Sequence, residues 1–180
     1  MKVTPTALPD VKLIEPRVFG VERGFLIEIW NARAFAAVGL PATFVQDNHS
    51  RSRRGVLRGL HYQIEHAQGK LMRVVAGEVF DVVVDLRRSS PMFGRSVGIT
   101  LSAQNMRLLW VPPGFAHGFV AVSDNAEFLY KTTDYRYPEH ERTLLWSDPA
   151  LGIDWPHSDA PILAAKDAAG TPLAAADVYP

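Results

Sequence analysis

Arg58, His61 and Lys70 sit close together in the chain, within Arg54-Gly55-Val56-Leu57-Arg58-Gly59-Leu60-His61-Tyr62-Gln63 and the short loop that leads to Gln68-Gly69-Lys70. A guanidinium, a pH-tunable imidazole and an ammonium converging on one concave surface would suit an anionic substrate and proton transfer. Arg58 and His61 are three positions apart, so a regular strand would send them to opposite faces. Gly59 between them is where a bulge or kink would bring both to the same side. The bland alternative is a surface arginine, a satisfied core histidine and a solvated lysine.

Inverting a carbon next to a ketone requires a base on one face and an acid on the other. It also needs cationic donors at the developing enolate oxygen, because that charge exists only in the transition state. His61 is a candidate base and Tyr130 a candidate acid. Lys70, Arg58 and His117 are candidate oxyanion stabilisers, and Asp167, far along the chain, would hold His61 in one tautomer. Each has an ordinary reading too: an aromatic in a strand packs, and a histidine beside Pro112-Pro113-Gly114 shapes a turn.

The elements that must position these groups read mostly as short strands separated by turn signals about every ten residues, the pattern of a β-sandwich or barrel. Phe25–Trp30, Thr43–Asn48, the stretch around His61, Lys70–Ala76, Val79–Leu86, Ser96–Leu101, Arg107–Val111, Ala116–Val122 and Glu127–Thr133 are the expected strands. In Val79–Leu86, Phe80, Val82, Val84 and Leu86 are expected inward, Asp81 and Asp85 outward. Asn31 is expected to cap a short helix over Ala32–Val38, ended by Gly39 and Pro41. The run Arg51-Ser52-Arg53-Arg54 reads as a solvated turn. Beyond Tyr135 the pattern turns irregular, with an alanine-rich stretch over Ala164–Val178 that suits a short helix.

At 180 residues the chain fits a single domain with a real core. Its 19 basic and 19 acidic residues cancel, so no global charge favours nucleic acid or a membrane surface. With no cysteine there are no disulfides, thiolate zinc sites or cysteine nucleophiles. The N-terminus carries no secretory pattern and no apolar run is long enough to span a bilayer, so the expectation is a soluble cytoplasmic protein.

Gly55, five residues, then His61-Tyr62-Gln63 follows the first motif of the cupin barrels, and Pro112-Pro113-Gly114-Phe115-Ala116-His117 follows the second. That resemblance implies an all-β fold, a cupin-type double-stranded β-helix (jelly roll) with short peripheral helices, both motifs lining one barrel mouth. Metal-bearing cupins have a second histidine where this chain has Gln63, and a carboxylate near Gln68. His61 and His117 alone are too few for a 2-His-1-carboxylate or zinc site, so no metal is expected.

The chain more closely resembles one family, the dTDP-4-dehydrorhamnose 3,5-epimerases. The resemblance rests on Phe19-Gly20-Val21-Glu22-Arg23-Gly24-Phe25, Phe44-Val45-Gln46-Asp47-Asn48-His49-Ser50, Leu57-Arg58-Gly59-Leu60-His61-Tyr62-Gln63, Gln68-Gly69-Lys70, Gly77-Glu78-Val79-Phe80-Asp81-Val82, Pro113-Gly114-Phe115-Ala116-His117-Gly118-Phe119, Phe128-Leu129-Tyr130-Lys131 and Lys166-Asp167, covering about Val18 to Asp167. It implies a cofactor-free homodimer acting on dTDP-4-dehydro-6-deoxy-D-glucose in the route to dTDP-L-rhamnose. His61 then matches the base for C3 and C5, Tyr130 the acid on the other face, Asp167 the partner of the histidine and Lys70 the residue that steadies the enolate. Arg23, Glu28, Gln46, Asp47, Asn48, Arg58, His117, Glu141 and Lys166 match positions that contact the nucleotide sugar, and phosphates call for such cations. Family dimers exchange N-terminal strands, so Arg23 and Glu28 are expected to serve the partner's site. Where relatives often stack an aromatic on the thymine, this chain has Arg136 between Tyr135 and Tyr137. Either Arg136, by its guanidinium plane, or Tyr137 is the candidate for that contact.

Three rivals to this reading follow from the same residues. An antibiotic-sugar relative would invert C3 alone. A metal-dependent cupin oxygenase or isomerase is opposed by Gln63. A non-catalytic sugar-nucleotide-binding cupin would leave His61, Tyr130 and Asp167 together without a purpose.

Overall fold

Alternating apolar and polar residues between glycine and proline turns fold here into thirteen strands among the described residues, with two short α-helices at the periphery. The computed structural model describes residues 1–156 and 160–180, without the side chain of Val21. In chain order the strands are β1 (Lys2–Pro5), β2 (Lys12–Glu15), β3 (Val18–Val21), β4 (Gly24–Ile27), β5 (Gln46–Arg53), β6 (Leu57–Gln63) and β7 (Lys70–Ala76). They continue as β8 (Glu78–Asp85), β9 (Ser96–Ser102), β10 (Leu108–Val111), β11 (Phe115–Ala121), β12 (Asn125–Thr132) and β13 (Glu141–Thr143). Helix α1 (Ala32–Ala36) starts at Asn31, whose side chain accepts from the Arg33 and Ala34 N–H groups as expected of a cap. Helix α2 (Ala165–Ala168) is a single turn, and a 3₁₀ turn at Leu173–Ala175 is the only other helical piece of the alanine-rich stretch.

A six-stranded sheet in the order β1-β2-β10-β7-β12-β5 faces a five-stranded one in the order β13-β6-β11-β8-β9, with antiparallel neighbours throughout. This is the expected jelly roll. The hairpin β3–β4 stands apart from both sheets. Between the sheets lies a core that includes Met72, Val74, Val79, Val83, Leu101, Leu109, Phe119 and Phe128.

Two further apolar layers cover the outer faces. The N-terminal strands and α1 bury Ile14, Phe35, Leu71, Leu108 and Trp110 on one side. The C-terminal segment covers Leu60, Tyr62, Val82, Val84, Leu86 and Leu144 on the other. This double cover corrects one expectation. Phe80, Val82, Val84 and Leu86 do share a face, but it is the outer face of β8, beneath the C-terminal segment. Asp81 and Asp85 are not exposed, and both are fully buried. A strand covered on both sides has no solvent face for its polar residues. Asp85 is satisfied by the Arg87 guanidinium at 2.6 Å and the Ser90 hydroxyl at 2.7 Å.

Element boundaries also differ, most of them by one or two residues and two strands by more. The strand expected at Thr43–Asn48 begins at Gln46 and runs to Arg53, so Arg51–Arg53 belong to a strand rather than a turn. Their charge is tolerated because Arg51 and Arg53 occupy the outward positions of an edge strand. The strand expected to reach Trp30 stops at Ile27.

Candidate active site

Gly59 shapes the site first. On β6 and β11 the register pairs His117 with His61 and Phe119 with Arg58, so β6 spends three steps where β11 spends two. The extra residue is a bulge at Gly59-Leu60, and it places Arg58 and His61 on the same cavity wall. Only glycine suits this position. Its φ is +133°, and a Cβ would lie 2.5 Å from the Gly118 Cα on β11.

The cavity has a volume of about 370 Å³ and opens between the two sheets. The five-stranded sheet contributes Arg58 and His61 from β6, His117 from β11 and Glu141 from β13. The six-stranded sheet contributes Asn48 from β5, Lys70 from β7 and Tyr130 from β12. Lys166 and Asp167 arrive on α2, and Arg136 from the loop after β12. A smaller adjoining space, about 90 Å³, is lined by Gln46 and Gln63 beside His61, Lys70 and Tyr130.

His61 is the best-defined proton acceptor. Its Nε2 lies 2.5 Å from Oδ1 of Asp167, which is buried. The carboxylate favours the tautomer that donates Nε2–H and leaves the Nδ1 lone pair free. Burial lowers the His61 pKa below the ordinary histidine value, against the opposing pull of Asp167. The shift favours the neutral ring, the form that can accept a proton. Burial pushes the Tyr130 hydroxyl in the other direction, above the ordinary tyrosine value, so it stays a protonated donor. His61 and Tyr130 stand on opposite sheets and line one cavity.

Lys70 supplies a cation to the same cavity. Burial pushes its ammonium down to about 8, while the charges of Glu141 and Asp81 act to keep the proton on. Arg58 is aimed by two bonds across the sheet gap, to the Ser52 hydroxyl at 3.0 Å and the Arg51 carbonyl at 3.3 Å. Glu141 accepts from Arg136 at 3.1 Å and sits 3.5 Å from the Lys166 ammonium. Although burial pushes the Glu141 carboxyl up, these two cations prevail and hold it below the usual carboxylate range.

Sequence reasoning missed Asp81. Its Oδ2 pairs with His117 Nε2 at 2.9 Å, and its buried Oδ1 has no hydrogen-bond partner among the described residues. The signal was present as a carboxylate in an apolar run, Val79-Phe80-Asp81-Val82-Val83-Val84, which a strand buried on both faces tolerates only with a partner.

Four predicted residues lie outside the cavity. Side chains alternate along β5, so Gln46 and Asn48 face inward while Asp47 faces out and pairs with Lys131 at 2.8 Å. Tyr137 stacks on His66, ring centroids 4.1 Å apart, and Arg136 rather than Tyr137 reaches the cavity. Arg23 and Glu28 belong to the N-terminal hairpin region; both are exposed, and Glu28 accepts from Asn31 at 3.2 Å. Among the described residues, no group of three or more His, Cys, Asp or Glu side chains is gathered as a metal ion would require.

The family model described as dTDP-4-dehydrorhamnose 3,5-epimerase matches residues 5–175. The chain is 64% identical to a dTDP-4-dehydrorhamnose 3,5-epimerase of Pseudomonas aeruginosa over 181 aligned positions, covering 100% of both chains. It is 58% identical to the enzyme of that name from Salmonella typhimurium, covering 94% of this chain and 93% of the other. Among solved structures, a dTDP-6-deoxy-D-glucose-3,5-epimerase from Legionella pneumophila, crystallised with dTDP-4-keto-L-rhamnose, superposes with a TM-score of 0.94. That pair is 50% identical and covers 97% of this chain and 93% of the other. A family match over nearly the whole chain and this level of identity agree with the jelly roll and its two-sided acid–base cavity: the chain belongs to the dTDP-4-dehydrorhamnose 3,5-epimerase family.

Proposed function

We propose that this protein epimerises dTDP-4-dehydro-6-deoxy-D-glucose at C3 and C5 to dTDP-4-dehydro-L-rhamnose, by acid–base enolisation. The observation that carries the proposal is the His61–Asp167 pair on one sheet side facing Tyr130 on the other, with Lys70 lining the same cavity. His61 takes the proton from the carbon next to the C4 ketone, and the electron pair moves onto the C4 oxygen. Lys70 and, from β11, His117 stabilise that enolate oxygen. Tyr130 returns a proton to the opposite face of the carbon, which inverts it. Reprotonation of Tyr130 and release of the proton from His61 reset the site for the second carbon.

Arg58, Arg136 and Lys166 give the cavity rim a cationic character suited to a diphosphate, and Asn48, held by a 2.9 Å bond from Gln46 Nε2 to its Oδ1, offers an amide donor suited to a pyrimidine edge. Asn48 Nδ2 is buried without a hydrogen-bond partner among the described residues, which leaves a donor for a ligand.

The chain acts as a homodimer in this reading. The isolated β3–β4 hairpin exposes Phe19, Phe25 and Leu26, at 44%, 56% and 69%. An apolar hairpin of this kind supports seating on a second copy, where Arg23 and Glu28 would reach that copy's site. A molecular mass measured in solution by sedimentation tests this, with a monomer at micromolar concentration as the contrary result.

Incubation of chelator-treated protein with the substrate in deuterium oxide, followed by NMR, tests the activity. Deuterium entering at both C3 and C5 is expected. Label at C3 alone would make it a mono-epimerase, activity only after metal is restored would favour a metal-dependent cupin, and no exchange would leave a binding protein.

A further inference from the structure

Three glutamines stitch the loop that carries Arg136. Residues 133–137 have no regular secondary structure, so their peptide groups need partners from elsewhere. Gln68 Nε2 donates to the Asp134 carbonyl at 3.0 Å. Gln46 Oε1 accepts from the Arg136 N–H at 3.3 Å. Gln63 does most: its Nε2 donates to the Tyr135 carbonyl at 3.2 Å, and its Oε1 accepts from the Tyr137 N–H at 2.8 Å. The same amide nitrogen donates to the His66 carbonyl at 2.8 Å, which ties the loop after β6 to the loop after β12.

Gln63 is buried, at 4% exposure, and grips the main chain on both sides of Arg136. A carboxamide suits this task because it combines two N–H donors with an acceptor oxygen. A carboxylate would place charge against two carbonyls, and an imidazole has too few donors in the needed directions.

We infer that Gln63 is a positioning residue that acts through Arg136: by clasping residues 135–137 it holds the guanidinium at the cavity, and so sets how tightly the nucleotide sugar binds rather than how fast it reacts. This rests on the proposed function only in taking the ligand to be a dTDP-sugar. The test measures the Kd for dTDP by calorimetry, and KM and kcat for the dTDP-hexulose, in Gln63→Glu, Gln63→Met, Arg136→Ala and the Gln63→Glu/Arg136→Ala double variant. Each Gln63 variant should raise Kd and KM about tenfold with kcat within about twofold, the size expected for loss of one charge-assisted contact. In the Arg136→Ala background, Gln63→Glu should add less than about twofold. Full additivity in the double variant, or a fall in kcat at unchanged KM, would overturn the inference. Gln63→Met serves if Gln63→Glu does not fold. Hydrogen exchange of the Tyr137 amide in the unsubstituted protein needs no variant: protection like that of β12 amides is expected, and exchange at free-loop rates would remove the clasp. A protein that binds dTDP with these dependences yet epimerises nothing would sink the proposed activity and leave the clasp standing.

Discussion

His61 and Asp167 are separated by 106 positions in the chain and meet at 2.5 Å, a strand residue of the barrel held by a carboxylate from a one-turn helix near the C-terminus. Asp167→Asn keeps the shape and removes the charge that orients the imidazole. Deuterium wash-in at C3 and C5 should fall roughly 10²–10⁴-fold, the worth of a properly poised general base. The pH profile has a defined sign. The active form of His61 is neutral, so activity is lost as pH falls through a pKa that burial has already lowered. Asp167 acts to raise that pKa, so Asp167→Asn should move the acid limb to still lower pH. An acid limb that stays in place would detach Asp167 from the base.

Base and acid separate by what each variant stops. His61→Ala should lose exchange by roughly 10²–10⁴-fold. Tyr130→Phe should impair formation of the inverted product more than proton removal, read as wash-in without matching epimerisation. Equal losses in both readouts would remove Tyr130 from the acid role.

Activity should also fall on the alkaline side, around pH 8, because the active form of Lys70 is the ammonium and that charge is lost as pH rises through about 8. Tyr130 does not account for a limb there, since its pKa is raised above the ordinary tyrosine value. Lys70→Met should abolish the limb along with most of the turnover. Asp81 acts to raise the Lys70 pKa, so Asp81→Asn should draw the alkaline limb to lower pH. A kcat–pH series on the three proteins checks both statements.

Gly59→Ala tests the shape of the site rather than its chemistry. The added methyl meets the Gly118 Cα at 2.5 Å, in a backbone region that side chains rarely adopt. The expected cost is about 1–3 kcal/mol of stability, seen as a lower thermal midpoint. Any folded fraction should bind dTDP poorly, because β6 must move to relieve the contact and carries Arg58 and His61 with it. A midpoint unchanged within error would show that the two strands have slack.

Much of this arrangement was legible in the chain. Gly59 between Arg58 and His61 signalled the bulge, Asn31 the helix cap, and the regular strand spacing the jelly roll. What failed did so for physical reasons. Asp81 and Asp85 were expected outside because alternation implies one wet face, whereas the C-terminal segment dries the second face of β8. Motif proximity groups Asp47 with Gln46 and Asn48, and the two-residue period of the strand, which proximity ignores, turns its side chain toward Lys131. Tyr137 was a candidate for the base contact because nothing local revealed that His66, far away in sequence, would occupy its ring.

The C-terminal segment has one more consequence. The barrel strands close through pairings that end at β13, but Asp167 comes later, and its segment is fastened by Leu144 pairing with Thr171, Arg87 with Tyr179, and the Tyr62 hydroxyl bonding the Asp177 carbonyl at 2.7 Å. The strands supply most of the cavity lining, while the carboxylate that commits His61 to its task arrives on a later segment that also covers the outer apolar layer of the five-stranded sheet. The fold-back that buries the outer face of β8 is therefore also the one that delivers the carboxylate, so closing that apolar layer and completing the base are a single structural event.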